Sequence, residues 1–287
     1  MTRGTVLVFG RTGQVARELA RLQPGALFLG RAEADLSLPD TCAGAIFDIR
    51  PSAVINAAAW TAVDRAESDE AAAAVINGDA PSAMAHACAT LKIPIVHVST
   101  DYVFPGSSNS PFAPDQLTGP LSAYGRTKLM GELGVIGAQG IHAVVRTSWV
   151  FSAHGANFVK MMVRLGRERD HLSVVTDQVG GPTPAAGVAA ACVAIAARLV
   201  DDPTAKGVYH FSGAPDVSWA DFARAIMERA GLACRVSDIL TSDYPTPARR
   251  PLNSRLDCAS IETVFGLSRP DWREGLDRVL EELGAQA

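Results

Sequence analysis

The stretch "TVLVFGRTGQVARELA", residues 5–20, decides the fold. Five residues dominated by apolar and β-branched side chains read as a strand buried on both faces. Gly10 and Gly13 then break the run, and from Gln14 to Leu22 the apolar spacing becomes helical. Strand, glycine turn and helix is the opening of a βαβ unit. The same alternation continues with "ALFL" (26–29), a helix near 40–49, "SAVIN" (52–56), a long Ala-rich helix near 67–90, "IPIVHVS" (93–99), a helix through Tyr124, and "IHAVVRTS" (141–148). Strands separated by helices require crossover connections, which are right-handed and give a parallel sheet. The fold class is therefore α/β, a doubly wound parallel-sheet Rossmann domain over residues 1–150.

Residues 151–287 are less regular and are expected to form mainly a smaller mixed α/β substrate-binding domain. The Ala-rich helix at 185–200 is expected to pack back on the first domain. "GVYHFSG" (207–213) reads as a strand, and "SWADFARAIMERAG" (218–231) as a helix with Ser218 as N-cap and Gly231 as its stop. "YPTPARRPLNSRL" (244–256) is a Pro-rich loop outside every periodic pattern.

With 287 residues, 48% of them hydrophobic, the chain has material for a large core. Its formal charge of -4 argues against nucleic-acid or anionic-membrane partners. No run approaches the length of a membrane span, and the N-terminus reads as a strand and loop, not a signal peptide. The five cysteines are scattered and odd in number, as expected of reduced thiols in a cytoplasmic protein. The six histidines show no metal-ligand spacing, so no metal site is assigned.

In the first turn, Gly10, Gly13 and Ala16 form GxxGxxA. Small residues there let the chain turn tightly and let backbone N–H groups approach a pyrophosphate at the helix N-terminus. The second strand ends in Gly30-Arg31, where an acid would suit a free ribose 2'-hydroxyl and an arginine a 2'-phosphate. Arg31, with Arg11 in the glycine loop, leans towards NADPH, with NADH as the alternative. Farther on, "SAYGRTKLMGE" (122–132) places Tyr124 and Lys128 one helical turn apart, so they point the same way. A phenol of ordinary pKa about 10 can be lowered by one to three units beside a cation, which makes its proton available nearer neutrality.

GxxGxxA joined to Tyr-x-x-x-Lys resembles the extended short-chain dehydrogenase/reductase family. "FGRTGQVA", "VINAAAWTAVDRAES", "VSTDYVFPG", "YGRTKLMGE", "RTSWVF", "DQVGGPTP" and "YPTPARRPLNSRL" carry the likeness from Phe9 to Leu256. Closer still, the pattern resembles the dTDP-4-dehydrorhamnose reductases within that family. The resemblance implies reduction of a nucleotide-linked 4-keto sugar by hydride transfer, the last step in making dTDP-L-rhamnose. It implies Tyr124 as proton donor, Lys128 as its cationic neighbour and ribose contact, and Thr100 as the hydroxyl on the ketone, with Ser99 as the alternative. Cofactor contacts are expected from Gly10, Thr12, Gly13, Gln14, Val15, Arg31, Asp35, Leu36, Ala58, Ala59 and Thr61, together with Tyr124 and Lys128. Substrate contacts are expected from Thr100, Asp101, Tyr102, Trp149, Asn157, Arg249 and Arg250, the last three as candidates for the diphosphate; Arg255 could serve similarly.

Related dehydratases carry Thr-Asp-Glu where this chain has Thr100-Asp101-Tyr102, so elimination is disfavoured. Some members dimerise through Mg2+ held by glutamates. Glu18 and Glu282 match two of these, but "TPAAGV" (183–188) has no acid for the third, which argues against Mg2+. A monomer or homodimer is expected. Two other readings stand beside the main one: a reductase or epimerase of another nucleotide-linked 4-keto sugar, and a non-catalytic regulatory subunit like that of methionine adenosyltransferase. The intact Thr100, Tyr124 and Lys128 set argues against the second.

Overall fold

The computed structural model describes residues 4–286; the first three residues of the N-terminal reading lie outside it. In chain order the first half contains β1 (Val6–Phe9), α1 (Gln14–Leu22), β2 (Leu27–Leu29), α2 (Pro39–Ile49), β3 (Ala53–Asn56), α3 (Val63–Ala66), α4 (Glu70–Ala74), α5 (Ala80–Leu91), β4 (Ile95–Thr100), α6 (Ala123–Gly137) and β5 (His142–Thr147). The strands lie in the order β2-β1-β3-β4-β5, and Gly207–His210 from the second half closes the edge beside β5. Every pairing in this sheet is parallel. The order reverses between β1 and β3, the topological switch point at which such sheets open a crevice beyond their strand ends.

Alternation along the strands feeds two cores. Leu7, Phe9, Val54 and Val144 face α2, α5 and the buried side of α6, against Ile46, Met84 and Val135. Val8, Ile55, Val96 and Val145 face the other way, against Val15 and Leu19 of α1 and against Val188, Cys192 and Ile195. The last three belong to α8 (Ala185–Asp201), which is buried along this face; it follows α7 (Phe158–Glu168) in the chain. All five cysteines are free and buried.

The single helix expected over 67–90 is instead broken. Residues 67–69 leave the helix, and Val75–Asp79 form one wide π turn between α4 and α5. Two residues account for this. Pro81 has no N–H for the carbonyl four residues back, that of Asn77, so the regular ladder cannot run through. Glu67 is drawn away to accept from the Ala123 backbone N–H at 2.8 Å, capping α6 from outside.

In the second half, α9 (Trp219–Arg229) starts at Ser218, whose hydroxyl accepts from Asp221 N as the sequence implies. It is followed by α10 (Ala259–Phe265) and α11 (Trp272–Glu282). A third core gathers Phe151, Val159, Phe222, Ile226, Trp272 and Leu276. The small sheets are His171–Val175 with Arg235–Ile239, Val150–Phe151 with Thr183–Pro184, and a three-stranded piece centred on Val179–Gly180. The Pro-rich loop is not wholly irregular: its end, Asn253–Ser254, pairs in parallel with Val179–Gly180. Among the described residues no helix is long and apolar enough to cross a membrane.

Candidate active site

A cleft of about 1000 Å³ opens beyond the C-terminal ends of the large sheet. One side is lined by Gly10, Thr12, Gly13, Gln14, Val15, Arg31, Asp35, Leu36, Ala58, Ala59 and Thr61, the deep end by Thr100, Asp101, Tyr102, Tyr124 and Lys128, and the far side by Trp149 and Asn157. Residues spread over nearly 150 positions of sequence thus converge. Arg249 and Arg250 are not on this lining. Arg249 is exposed, and Arg250 donates to Asp64 Oδ2 at 2.7 Å, bridging the Pro-rich loop to α3, and also hydrogen-bonds the side chain of Tyr102 at the edge of the cleft. Arg255 is likewise a loop bridge, donating to Asn253 Oδ1 at 2.8 Å and to Asn109 O at 2.8 Å.

The glycine turn fits a flat, extended diphosphate. Gly10 has φ +110, and a Cβ there would lie 3.4 Å from the backbone of Ala57 and Ala58. α1 begins at Gln14 with no side chain capping its first turn. Its free N–H groups therefore face the cleft, the arrangement that attracts a phosphate. Gln14 also ties the two halves together: its Oε1 accepts from Ser152 Oγ at 2.9 Å and from Asn157 Nδ2 at 2.9 Å. Asn157 is thereby committed. It also caps α7 by accepting from Lys160 N at 3.1 Å, so its amide has little left for a diphosphate.

At the second strand's end the sequence reading missed Glu33. Its Oε1 accepts from Arg11 Nη1 at 2.7 Å and its Oε2 from Gly30 N at 3.0 Å, so Arg11 is neutralised and an acid does stand there. Arg31 remains open, its side chain 82% exposed and 4.0 Å from Asp35.

At the deep end, β4 delivers Thr100 into the cleft while Ser99 points the other way, donating to Glu132 Oε1 at 2.5 Å. Strand alternation therefore selects Thr100. Its Oγ1 donates to Asp101 Oδ1 at 3.1 Å and accepts from Tyr102 N at 3.2 Å. α6 approaches this turn so closely that a Cβ on Gly125 would sit 2.2 Å from Tyr102 O. The glycine after Tyr124 is thus what lets the phenol reach Thr100. Tyr102 and Tyr124 meet edge to face at 5.5 Å between centroids.

Burial pushes the Tyr124 phenol above its ordinary range, with the Thr100 side chain opposing and Asp101 reinforcing the rise. Burial also raises Asp101 to about 6, relieved in part by the hydroxyls of Ser254 and Thr100. The expectation that Lys128 draws the phenol down is not met in this arrangement. Lys128 is 2% exposed, and its Nζ donates to Val98 O at 2.8 Å and lies 3.2 Å from His97 Nε2. Burial lowers its own pKa to about 8, with Glu132 opposing. Sharing a helix face brings Tyr124 and Lys128 to the same cleft, but the polar neighbours on β4 decide where Nζ points.

Trp149 adopts a left-handed backbone, φ +49, and its indole stacks on Trp219 at 3.6 Å and 11°. Trp219, unforeseen from the sequence, also faces the cleft. Its signal lay in the helix start "SWADF", where the aromatic reads equally well as a core residue. Glu18 and Glu282 do converge, with His154 as a third member within 4.8 Å. Arg21 Nη1 already stands there, 2.6 Å from Glu282 and 3.6 Å from Glu18. An imidazole and a paired guanidinium suit Mg2+ poorly, since that ion takes an octahedron of oxygens.

Comparison with known proteins agrees over the full length. The family model described as the RmlD substrate binding domain matches residues 4–285. A protein of Sinorhizobium fredii named dTDP-4-dehydrorhamnose reductase is 44% identical over 282 residues, covering 95% of each chain. The crystal structure of a dTDP-4-dehydrorhamnose reductase from Clostridium acetobutylicum superposes with a TM-score of 0.90 at 33% identity, covering 98% of this chain and 99% of that one. That of the Bacillus anthracis reductase, solved in complex with NADP, gives 0.89 at 31% identity, covering 98% and 100%. With the glycine turn, the Thr100–Tyr124 pair and Lys128 all at one cleft, the chain belongs to the dTDP-4-dehydrorhamnose reductase family.

Proposed function

We propose that this chain reduces dTDP-4-dehydro-L-rhamnose to dTDP-L-rhamnose with NADPH, and that NADH can substitute. The observation that carries the reading is the meeting of Thr100, Tyr124 and Lys128 with an open helix N-terminus at one cleft. When bound, the reduced nicotinamide supplies the hydride for the ketone carbon. The backbone N–H groups of the Gly10–Gly13 turn hold the cofactor diphosphate, and Ala58 and Ala59 leave room for it. Tyr124 gives its proton to the ketone oxygen while the Thr100 hydroxyl orients that oxygen. A phenol kept neutral by burial suits a proton donor, because it carries its proton until the oxygen becomes basic. Lys128 binds the ribose and stabilises the phenolate left behind, which requires its Nζ to turn from Val98 towards the cleft. Asp101 and Tyr102 contact sugar hydroxyls, and Trp149 covers the sugar or nicotinamide.

In this reading residues 1–150 supply the cofactor side and 151–287 mainly the substrate side. Arg31 is the available partner for a 2'-phosphate, and the Glu33 carboxylate beside it, which holds Arg11 and the Gly30 N–H, keeps lone pairs for the free ribose 2'-hydroxyl of NADH. The protein acts in the cytoplasm as a monomer or homodimer. The test is absorbance at 340 nm with dTDP-4-dehydro-L-rhamnose and each cofactor, for the wild type and Tyr124→Phe. Loss of the general acid is expected to lower turnover by a factor of about 100 or more with cofactor affinity retained. Near-normal turnover in the variant would reject the assignment of Tyr124.

A further inference from the structure

Between the sheet and α6 lies a line of buried polar side chains whose polarity can be worked out donor by donor. Asn56 on β3 and His97 on β4 are register partners, both 0% exposed, and Lys128 reaches them from α6. The Ala58 backbone N–H can only donate, and it meets Asn56 Oδ1 at 3.1 Å. That orients the amide, leaving Asn56 Nδ2 facing His97 Nδ1 at 3.1 Å. An amide nitrogen can only donate, so Nδ1 accepts and the neutral ring carries its proton on Nε2. Nε2 is the atom 3.2 Å from Lys128 Nζ. An ammonium there would set two donors against each other. A neutral amine satisfies every group: its lone pair accepts from Nε2–H, and one of its own hydrogens goes to Val98 O at 2.8 Å.

The neighbouring charges do not undo this. Glu132, one turn along α6, is held by Arg146 of β5 through Nη2 at 2.7 Å and by Ser99 of β4. Tyr124 on the same helix is a neutral phenol, and Asp101 lies beyond Thr100 at the end of β4. Protonating His97 is opposed first by burial. The same burial disfavours the ammonium, in the direction that the facing N–H also acts.

We propose that His97 is a positioning residue for Lys128: with its tautomer set by Asn56 and the Ala58 N–H, it docks Nζ against Val98 as a neutral amine. Lys128 takes a proton from solvent water and becomes an ammonium as Nζ swings into the cleft. The consequence for cofactor binding rests on the reading of the cleft given above; the docked state itself does not. The Ala57–Ala59 turn that borders the cofactor side is thereby coupled, through Asn56 and His97, to the charge of the lysine.

The test is nuclear magnetic resonance of the ligand-free enzyme, so it reads the network whether or not the enzyme turns over. The sequence has only four lysines, so Lys128 can be followed through its ¹³Cε shift. Ring ¹⁵N shifts of wild-type His97 are expected to show a proton on Nε2, and Lys128 to titrate below about pH 7, more than three units under a free lysine, because the facing Nε2–H adds to what burial does alone. Asn56→Asp inverts the line: one carboxylate oxygen keeps the Ala58 N–H, the other takes the ring proton onto Nδ1, and Nε2 then accepts from an ammonium. That variant is expected to raise the Lys128 titration by one pH unit or more, and to move the basic limb of NADPH affinity upward by the same amount. A proton on Nδ1 in the wild type, or a Lys128 that titrates like a free lysine, overturns the proposal without any variant having to fold. An unchanged Lys128 titration in Asn56→Asp overturns it as well.

Discussion

Replacing Asp101 by Asn isolates one buried carboxyl whose energetics can be worked from the structure. Asp101 is 3% exposed, and burial lifts its pKa from 3.8 to about 6. A rise of that size corresponds to about 3 kcal/mol of differential stability. The sign follows from proton counting. Below the unfolded value both states are protonated and the group contributes nothing. Between that value and about 6 the unfolded chain gives up its proton while the folded one keeps it, so stability falls as pH rises. Above about 6 the penalty is complete and constant. An asparagine does not titrate, and every other group cancels between the two chains. Urea unfolding of wild type and Asp101→Asn at a series of pH values should therefore show the variant gaining on the wild type by about 2 kcal/mol between about pH 4.5 and 7. The offset at any single pH also contains the changed hydrogen bonds to Thr100 and Ser254, so the slope is the informative quantity. A gap that stays flat, or narrows as pH rises, would refute the argument that burial dominates at this carboxyl.

Glu132→Gln leaves the buried Arg146 guanidinium, 5% exposed at its side chain, without its counter-charge. Breaking such a pair by removing one partner should lower stability by about 3–5 kcal/mol in denaturant unfolding. Arg31→Asp should shift the NADPH-to-NADH ratio of kcat/KM towards NADH by about tenfold, modest because the guanidinium is largely exposed and screened. An unchanged ratio would show that Arg31 does not read the 2'-phosphate.

Much of this protein was legible in its sequence, for a physical reason that is local. "TVLVF" must be a buried strand and "GRTGQ" a tight turn into a helix, because glycine conformations and apolar periodicity act within a few residues. That is enough to imply the parallel sheet, the crevice at its strand ends and the presence of Gly10 beside it, whereas Thr100, Tyr124 and Lys128 were placed there by the resemblance of "VSTDYVFPG" and "YGRTKLMGE" to the short-chain dehydrogenase/reductase family. Alternation along β4 even chose Thr100 over Ser99. What the local pattern does not contain is the partner each polar group finds. Glu33 claims Arg11, Asp64 claims Arg250, and the Asn157 amide is claimed by Gln14, across separations of 22, 186 and 143 residues. Pro81 and Glu67 break a helix that composition alone would run straight. Lys128 shares a helix face with Tyr124, yet its Nζ answers to Val98 and His97 on a strand some thirty residues earlier. Side-chain type and spacing fix which elements form; only the packed chain decides which donor meets which acceptor, because that choice is made by burial and by neighbours distant in sequence.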